Sequence, residues 1–308
     1  LMLTTKTLMG NWGTLLLPID QDNSISYNRL EEEINALIKA KVDGIYSNGT
    51  AGELHNQTER EFDKINSLLA ETCHLHKVSF QIGVSHPCPV TSLERLERSV
   101  DLHPDAFQLI LPDWVVVNRR EQVTFLEKMA EAAKGTPLVL YNPPHAKAVL
   151  QPSDFAELSA VFPQLIGLKV APVGSHWYEE MRNHSSGLAV FLPGHWLATG
   201  VRERVAAGSY SNVACLSPAG AQWWWRLIKT DLMAAIEVES RIQQLFSQCI
   251  EPFIKIGYSN PALDKFLAAV GGWSPIGTRL RWPYNWISEE EISHVKKVAC
   301  QLLPEFFI

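Results

Sequence analysis

Short apolar runs alternate with amphipathic helical patterns from residue 10 to about residue 230. A helical pattern is seen in Leu30, Ile34 and Leu37, and again in Leu126 and Met129. The runs between such patterns are continuously apolar, which is typical of parallel strands covered on both faces. We predict eight strands, at 14–17, 44–47, 78–83, 106–111, 138–141, 165–170, 189–192 and 209–213.

Eight strand–helix units favour an α/β fold of the (β/α)8 TIM barrel type over an open doubly wound sheet. The open sheet usually carries a glycine-rich phosphate loop after its first strand. Here the first apolar run ends in Leu17-Pro18-Ile19, and neither G-x-G-x-x-G nor a P-loop sequence occurs. Capping boxes are predicted at three helix starts: Thr58 with Glu61, Thr91 with Glu94, and Ser288 with Glu291.

The strand signals stop after about residue 231. Helical patterns follow at 234–246, 262–270 and 289–303. We therefore predict a barrel over residues 1–230 and a C-terminal helical extension over residues 231–308.

Composition and charge narrow the class of partner. The 308 residues are 46% hydrophobic and carry a formal net charge of −6, which predicts neither nucleic-acid nor anionic-membrane binding. Uncharged stretches at 183–201 and 205–225 are interrupted by Pro, Gly or polar residues, so no membrane span is expected. The N-terminal ten residues lack a sustained apolar region, so no signal peptide is expected either.

Cysteine and histidine spacing adds no metal chemistry. The five cysteines are widely spaced without C-x-x-C, which predicts a reducing, cytoplasmic setting without a disulfide framework. Ten histidines occur without H-E-x-x-H or a comparable spacing. We expect no metal and no cofactor.

Active sites of this fold lie at the carboxyl ends of the strands, where Lys169 and Tyr141 are predicted. Lys169 ends an apolar strand with no acid beside it in sequence, so desolvation would lower its pKa and favour a nucleophilic amine. The alternative is a lysine that extends to solvent. Tyr141 is either a proton shuttle at the barrel mouth or a packed tyrosine with a hydrogen-bonded hydroxyl.

Other strand ends carry weaker signals. The Ser-Asn-Gly-Thr-Ala-Gly-Glu segment at 47–53 can approach a ligand through its glycines and bind a carboxylate through successive N–H groups, with Thr50 adding a hydroxyl. It can equally be an ordinary strand–helix turn. Gly194 and Ser211 can line a small substrate. His195 reads more readily as a loop residue than as a catalyst, and His145 is open to the same two interpretations.

Four of these segments together resemble the dihydrodipicolinate synthase / N-acetylneuraminate lyase superfamily of class I pyruvate-dependent aldolases. They are Gly-Thr-Ala-Gly-Glu at 49–53, Tyr-Asn-Pro-Pro at 141–144, Gly-Leu-Lys at 167–169 and Gly-Ser-Tyr-Ser-Asn at 208–212. Their order and spacing match, and Asn260-Pro261 with Lys265 resembles the family's C-terminal helical region. The resemblance covers nearly the whole chain.

The resemblance implies a lyase or aldolase that assembles as a homo-oligomer, a dimer or a tetramer of two dimers. Lys169 would form an imine with the keto carbon of a 2-oxo acid, Tyr141 would relay protons, and Thr50 would hydrogen-bond Tyr141. The resemblance also implies substrate contacts at Ala51, Gly194 and Ser211. His145 and Trp114, in loops after neighbouring strands, are further candidates for substrate binding.

Departures from the family pattern concern the substrate. Ala51 stands where the synthases have a second hydroxyl residue, and an arginine expected shortly after Tyr141 is absent from 145–149, where Lys147 is the available cation. Trp114 stands where the synthases bring a tyrosine from a neighbouring subunit. Trp114 can donate a hydrogen bond but cannot relay a proton as a phenol does.

We therefore expect a dihydrodipicolinate synthase-like lyase acting on pyruvate or a related 2-oxo acid. The alternatives are 4-hydroxy-tetrahydrodipicolinate synthase proper, a 2-keto-3-deoxy acid dehydratase, and a catalytically silent paralogue that binds 2-oxo acids.

Overall fold

A computed structural model describes residues 2–184 and 187–307 and contains a closed barrel of eight parallel strands in sequence order. The last strand pairs with the first, so the sheet closes on itself. The strands are β1 Gly10–Thr14, β2 Gly44–Ser47, β3 Phe80–Gly83, β4 Ala106–Ile110, β5 Leu138–Tyr141, β6 Leu165–Lys169, β7 Ala189–Leu192 and β8 Ala206–Tyr210. The predicted (β/α)8 architecture is confirmed.

Two strands lie earlier in the chain than predicted. The first was expected at 14–17 but runs over Gly10–Thr14, and the eighth was expected at 209–213 but runs over Ala206–Tyr210. In the eighth unit the prediction is wrong because Ser211 already caps the next helix, its hydroxyl accepting the Ala214 N–H at 2.9 Å.

Helices connect the strands on the outside of the barrel and continue after it. They are α1 Tyr27–Lys39, α2 Glu59–His76, α3 Pro89–Ser99, α4 Arg119–Ala132, α5 Pro152–Val161, α6 Gly174–His184, α7 Leu197–Arg202, α8 Asn212–Leu216, α9 Pro218–Thr230, α10 Leu232–Cys249, α11 Glu251–Lys255, α12 Asn260–Gly271 and α13 Ile292–Leu302. The buried faces of α1 and α4 include Leu30, Ile34, Leu37, Leu126 and Met129, in agreement with the predicted periodicity.

The predicted helix starts have different outcomes. The capping box of Thr58 and Glu61 is confirmed at the start of α2. The box at Thr91 is wrong, because α3 begins two residues earlier with Pro89 at its first position, which needs no N–H partner. Ser288 caps a single 3₁₀ turn by accepting the Glu290 N–H at 3.3 Å, so the capping box expected with Glu291 does not form.

One hydrophobic core lies between the strands and helices α1–α6, and a second lies among helices that follow β7. This second core combines residues of α7–α9 with buried residues of the C-terminal helices, such as Ile242, Phe266 and Val295. The C-terminal helices thereby pack against the β7–β8 side of the barrel, and the start of α12 reaches its mouth. The division into 1–230 and 231–308 stays a prediction.

Candidate active site

Lys169 and Tyr141 end two adjacent strands at the carboxyl-terminal mouth of the barrel. The Cα atoms of the two residues are register partners between β5 and β6. Both side chains line a cavity of about 250 Å³. Strand order in a closed barrel determines which strand ends are neighbours. Since Tyr141 ends β5 and Lys169 ends the adjacent strand β6, the phenol and the amine lie side by side.

Three tyrosine rings surround the Lys169 amine. Its Nζ atom lies 4.1 Å from the centroid of Tyr141, 4.7 Å from that of Tyr46 and 5.6 Å from that of Tyr210. Nζ also donates a hydrogen bond to the Tyr46 hydroxyl at 3.3 Å. Ring faces attract a cation, whereas desolvation disfavours it. Desolvation prevails and lowers the pKa of Lys169 to about 8, although the negative charge of Asp264 acts in the opposite direction.

The Tyr141 phenol is positioned to hold a proton. Its oxygen is 3.2 Å from the Thr50 hydroxyl, and either oxygen can donate in this hydrogen bond. Burial raises the pKa of Tyr141, which keeps the phenol protonated at neutral pH, while the hydrogen bond from Thr50 acts in the opposite direction. A phenol and a hydroxyl in this arrangement can donate a proton beside the amine.

The loop at 48–53, between β2 and α2, brings Thr50 and Ala51 to the cavity. Asn48 and Glu53 both have left-handed backbone conformations, with φ of +53° and +54°. At Gly49 an added Cβ would lie 2.8 Å from a Tyr46 ring carbon and 3.4 Å from Lys169 Nζ, so glycine permits the close approach. Within residues 2–184 and 187–307, the Thr50 and Ala51 N–H groups donate no hydrogen bond and remain available to a ligand.

Buried hydrogen bonds and an ion pair fix the 48–53 loop to neighbouring helices. The Glu53 carboxylate accepts a hydrogen bond from Lys265 Nζ at 3.0 Å, and both side chains are almost fully buried. On the other side, Ser47 and Asn48 both donate to the Asn66 side-chain oxygen, at 2.6 and 3.2 Å. The loop is thereby attached to α2 and to the C-terminal helix α12.

The β7–β8 side contributes Ser211 and His195 to the cavity wall. Gly194 lies behind that wall: a Cβ there would be 2.7 Å from the Ser211 hydroxyl and 2.8 Å from an Asn212 oxygen. His195 contacts Asn212, with 2.9 Å between Nδ1 and Nδ2. Burial lowers the pKa of His195 to about 4, so the imidazole is neutral at physiological pH.

Two further candidates lie toward the outside. His145 is exposed at the rim of the Lys169 cavity. Trp114 lies outside that cavity with 77% of its surface exposed, so the structure does not bring it to the other candidates. Lys147 covers the Trp114 ring at 4.8 Å and donates to the Trp114 carbonyl oxygen at 2.7 Å.

Several residues that line the cavity were not among the candidates predicted from the sequence, including Tyr46, Tyr210, Asn260 and Asp264. The signal for Tyr46 and Tyr210 was a hydroxyl-bearing side chain inside an otherwise apolar or small-residue strand. The signal for Asn260 and Asp264 was their separation by four positions, which places both on one face of α12.

The described residues contain no group of three or more His, Cys, Asp or Glu side chains that could hold a metal ion. Within the same residues, no helix has the length and apolar character needed to cross a bilayer.

A family model for the dihydrodipicolinate synthetase family matches residues 7–302 of the chain. The chain belongs to this family. The resemblance stated from four short motifs is thereby confirmed, and the predicted dihydrodipicolinate synthase-like lyase is confirmed at the level of the family.

Individual relatives are distant. The 4-hydroxy-tetrahydrodipicolinate synthase of Staphylococcus haemolyticus is 26% identical over 162 residues, which are 53% of this chain and about half, 54%, of that protein. The N-acetylneuraminate lyase of Escherichia coli O1:K1 is 22% identical over 306 residues, covering 97% of this chain and 98% of the relative.

Solved structures share the fold. A prophage protein of the dihydrodipicolinic acid synthase family from Escherichia coli K12, in complex with pyruvate, superposes with a TM-score of 0.84 at 19% identity, covering 96% of this chain and 98% of that one. CdNal from Clostridium difficile, in complex with mannosamine, gives a TM-score of 0.81 at 19% identity, covering 97% and 99%.

Proposed function

We propose that the protein is a class I lyase in which Lys169 forms an imine with the keto carbon of pyruvate or a related 2-oxo acid. The observation that carries this proposal is the environment of the amine. Lys169 Nζ lies in a cavity at the barrel mouth, 4.1 Å from the Tyr141 ring centroid, with a pKa lowered to about 8. At that pKa about one amine in ten is neutral at pH 7, against about one in three thousand for an ordinary lysine.

Thr50, Ala51 and Tyr141 complete the proposed machinery. The unused N–H groups of Thr50 and Ala51 bind the substrate carboxylate, as successive backbone amides of a turn do with anions. Tyr141, hydrogen-bonded to Thr50, donates a proton to the departing carbinolamine hydroxyl and removes one in the reverse direction.

The imine makes carbon–carbon bond chemistry feasible because it acts as an electron sink. Its protonated nitrogen accepts the electron pair released when a proton leaves C3 or when the C3–C4 bond breaks, giving an enamine. Protonation of the enamine at C3 regenerates the imine, and hydrolysis of that imine by water releases the 2-oxo acid and the free Lys169 amine.

The residues near the rim favour a partner other than an anionic aldehyde. The arginine of the synthases is absent from 145–149, and the Lys147 amine is engaged by the Trp114 carbonyl and ring. Ala51 offers no hydroxyl to a substrate carboxylate. These features argue against 4-hydroxy-tetrahydrodipicolinate synthase activity proper, since that reaction places a second carboxylate near this rim.

Turnover of a panel of 4-hydroxy-2-oxo acids tests the proposal. Pyruvate release is followed by coupling to lactate dehydrogenase and NADH oxidation. We expect wild-type protein to release pyruvate from at least one member and Lys169→Met to release none, while the rim variant Lys147→Met retains turnover. Absence of turnover on the whole panel would favour the catalytically silent paralogue. Loss of substrate without any pyruvate, with the carbon skeleton intact, would indicate a dehydratase.

We further propose that the chain forms a homo-oligomer and works in the cytoplasm. A cluster of exposed apolar side chains after β4 supports self-association: Trp114, Val115 and Val116 have 77%, 75% and 47% of their surface exposed. The cytoplasmic assignment rests on the spacing of the five cysteines. Light scattering after gel filtration tests the oligomer: a dimer or tetramer is expected, and a monomer would contradict it.

A further inference from the structure

The proposed reaction leaves one buried carboxyl in the cavity without a role. Asp264 lies on α12 with 6% of its surface exposed. Among the described residues that line the Lys169 cavity, it is the one acidic side chain. A buried carboxyl is costly to maintain unless it is paired, so an unexplained one in a cavity points to a function.

The contacts of Asp264 leave half of its carboxyl available. Asn260 Nδ2 donates to Oδ2 at 3.1 Å. Within residues 2–184 and 187–307, Oδ1 accepts no hydrogen bond and no cation lies within 4 Å of the carboxyl. The next residue, Lys265, is directed to Glu53 instead. Asn260 therefore orients Asp264, and Oδ1 remains available to a ligand.

The charge of Asp264 interacts with the groups proposed to carry the reaction. Burial raises the pKa of Asp264 to about 7, partly opposed by the positive charge of Lys169. The same carboxylate raises the pKa values of Lys169, Tyr141, Tyr46 and Cys215. Near neutral pH both protonation states of Asp264 are accessible, as an acid–base group requires.

Asp264 also lies between the Lys169 cavity and a second cavity of about 430 Å³ next to α10–α12. The two cavities share His195, Asn212, Asn260 and Asp264 in their linings. Beyond these shared residues, the second cavity is lined mainly by apolar side chains: Trp196, Phe246, Ile250, Ile254, Leu263 and Leu267. No Lys or Arg of the described residues lines it, and its one further charged residue is Glu251. This environment favours an uncharged group over an anion.

The geometry of an imine determines which part of the substrate faces Asp264. The imine carbon bears the Lys169 nitrogen, the carboxylate and C3. If the carboxylate occupies the Thr50–Ala51 amides, C3 and the atoms beyond it are directed to the remaining polar wall, which contains Asn260 and Asp264.

We propose that Asp264 exchanges the proton of the C4 oxygen of a 4-hydroxy-2-oxo acid whose uncharged 4-substituent occupies the second cavity. This inference rests on the proposed imine chemistry of Lys169 and adds both a catalytic residue and a substrate class to it.

The proposed cleavage step is balanced by Asp264 and Lys169 alone. The C3–C4 bond breaks, its electron pair forms the C2–C3 double bond, and the imine π pair moves to the nitrogen to give the enamine. At the same time Asp264 Oδ1 takes the C4 hydroxyl proton, and the O–H pair forms the carbonyl of the released aldehyde. In the synthetic direction, protonated Asp264 returns that proton to the alkoxide formed at C4.

Asp264→Asn tests the inference because it keeps the size and polarity of the side chain but cannot exchange a proton. With 4-hydroxy-2-oxo-4-phenylbutanoate as the probe, we expect kcat for pyruvate release to fall by about 10²–10⁴-fold. The ionisation of wild-type kcat near pH 7 should disappear, which a merely structural role of Asp264 would not produce. Glu290→Gln, an exposed acid outside both cavities, should behave as wild type.

Two measurements separate this inference from the proposed function. In D₂O, deuterium exchange at C3 of pyruvate reports imine and enamine formation, and it should persist in Asp264→Asn, because no C4 oxygen takes part. If the wild type shows no exchange, the imine proposal itself fails. If exchange is normal but Asp264→Asn cleaves the phenyl probe as fast as wild type, the Asp264 inference alone is overturned.

The substrate class has its own test. Replacing the phenyl group by a carboxyethyl group of similar length introduces a negative charge without removing the C4 hydroxyl. We expect wild-type kcat/KM to fall at least tenfold. Equal or faster cleavage of the anionic substrate would overturn the assignment of the second cavity to an uncharged group.

Discussion

The buried ion pair between Lys265 and Glu53 offers a direct test of how the C-terminal helices support the active-site loop. The two side chains have exposed fractions of 0% and 4%, and Lys265 Nζ is 3.0 Å from Glu53 Oε1. Nζ also donates to the Arg279 carbonyl oxygen at 2.8 Å. Glu53 ends the loop that carries Thr50 and Ala51, so the pair joins that loop to α12.

Lys265→Met removes the amine and leaves the Glu53 carboxylate buried without its cation. Removing one partner of a buried pair costs about 3–5 kcal/mol in the free energy of unfolding. At about 2 °C per kcal/mol for a chain of this length, the melting temperature should fall by roughly 6–10 °C. The double variant Lys265→Met, Glu53→Met should recover most of that loss, because replacing both charges by apolar groups is often neutral.

The loss in Lys265→Met should also depend on pH in a defined direction. Burial already raises the pKa of Glu53, and the charge of Lys265 opposes this rise, so the pKa rises further without Lys265. At pH values between the ordinary carboxyl pKa and this raised pKa, Glu53 keeps its proton in the folded variant but has lost it in the unfolded chain. Stability therefore falls as pH increases through the raised pKa of Glu53.

Thermal unfolding followed by circular dichroism at pH 5, 7 and 9 measures these effects, with the exposed variant Lys297→Met as the control. The reasoning would be refuted if Lys265→Met had the same melting temperature as the wild type. It would also be refuted by a double variant less stable than the single one, or by a destabilisation that becomes smaller with increasing pH.

Three further predictions concern the amine and its neighbours. The rate of pyruvate trapping on Lys169 should rise with pH up to about 8 and then level off, as measured by rapid borohydride quenching; a rise that continues toward pH 10.5 would indicate an ordinary lysine. Tyr141→Phe should slow C3 deuterium exchange of pyruvate, followed by NMR, by about 10²–10⁴-fold, and unchanged exchange would remove Tyr141 from the proton relay. Gly49→Ala should suppress trapping because the new Cβ would lie 2.8 Å from the Tyr46 ring, and wild-type trapping would show that the loop can move away.

The architecture could be predicted because buried parallel strands are marked by apolar runs, but one run was misleading. The segment 14–17 is the more apolar one, yet the first strand is Gly10–Thr14, with two glycines and an asparagine. The Asn11 backbone N–H donates to the Asp43 carboxylate at 2.8 Å, and the Asn11 side-chain amide donates to the Gln222 side-chain oxygen at 3.0 Å. These long-range partners make a polar strand stable, and local periodicity carries no information about them.

Some residues of the candidate site can be predicted from the order of the strands, whereas others reach the site only through tertiary packing. Lys169, Tyr141 and Thr50 lie at strand ends or just beyond them, so the order of strands in a barrel predicts that they converge. Asp264 is 95 positions after Lys169 and reaches the cavity only because α12 packs against the β8 side. Amphipathic periodicity predicts that α12 forms, but it does not determine where the helix docks.

Reductive trapping of pyruvate tests the central role of Lys169 most directly. The protein is incubated with pyruvate and borohydride, digested, and the modified peptide is identified by mass spectrometry, with Lys169→Met and Lys147→Met treated in parallel. The proposed imine predicts one reduced pyruvyl adduct on Lys169, absent from Lys169→Met and retained in Lys147→Met. An unmodified Lys169, or equal labelling of the exposed lysines, would contradict it.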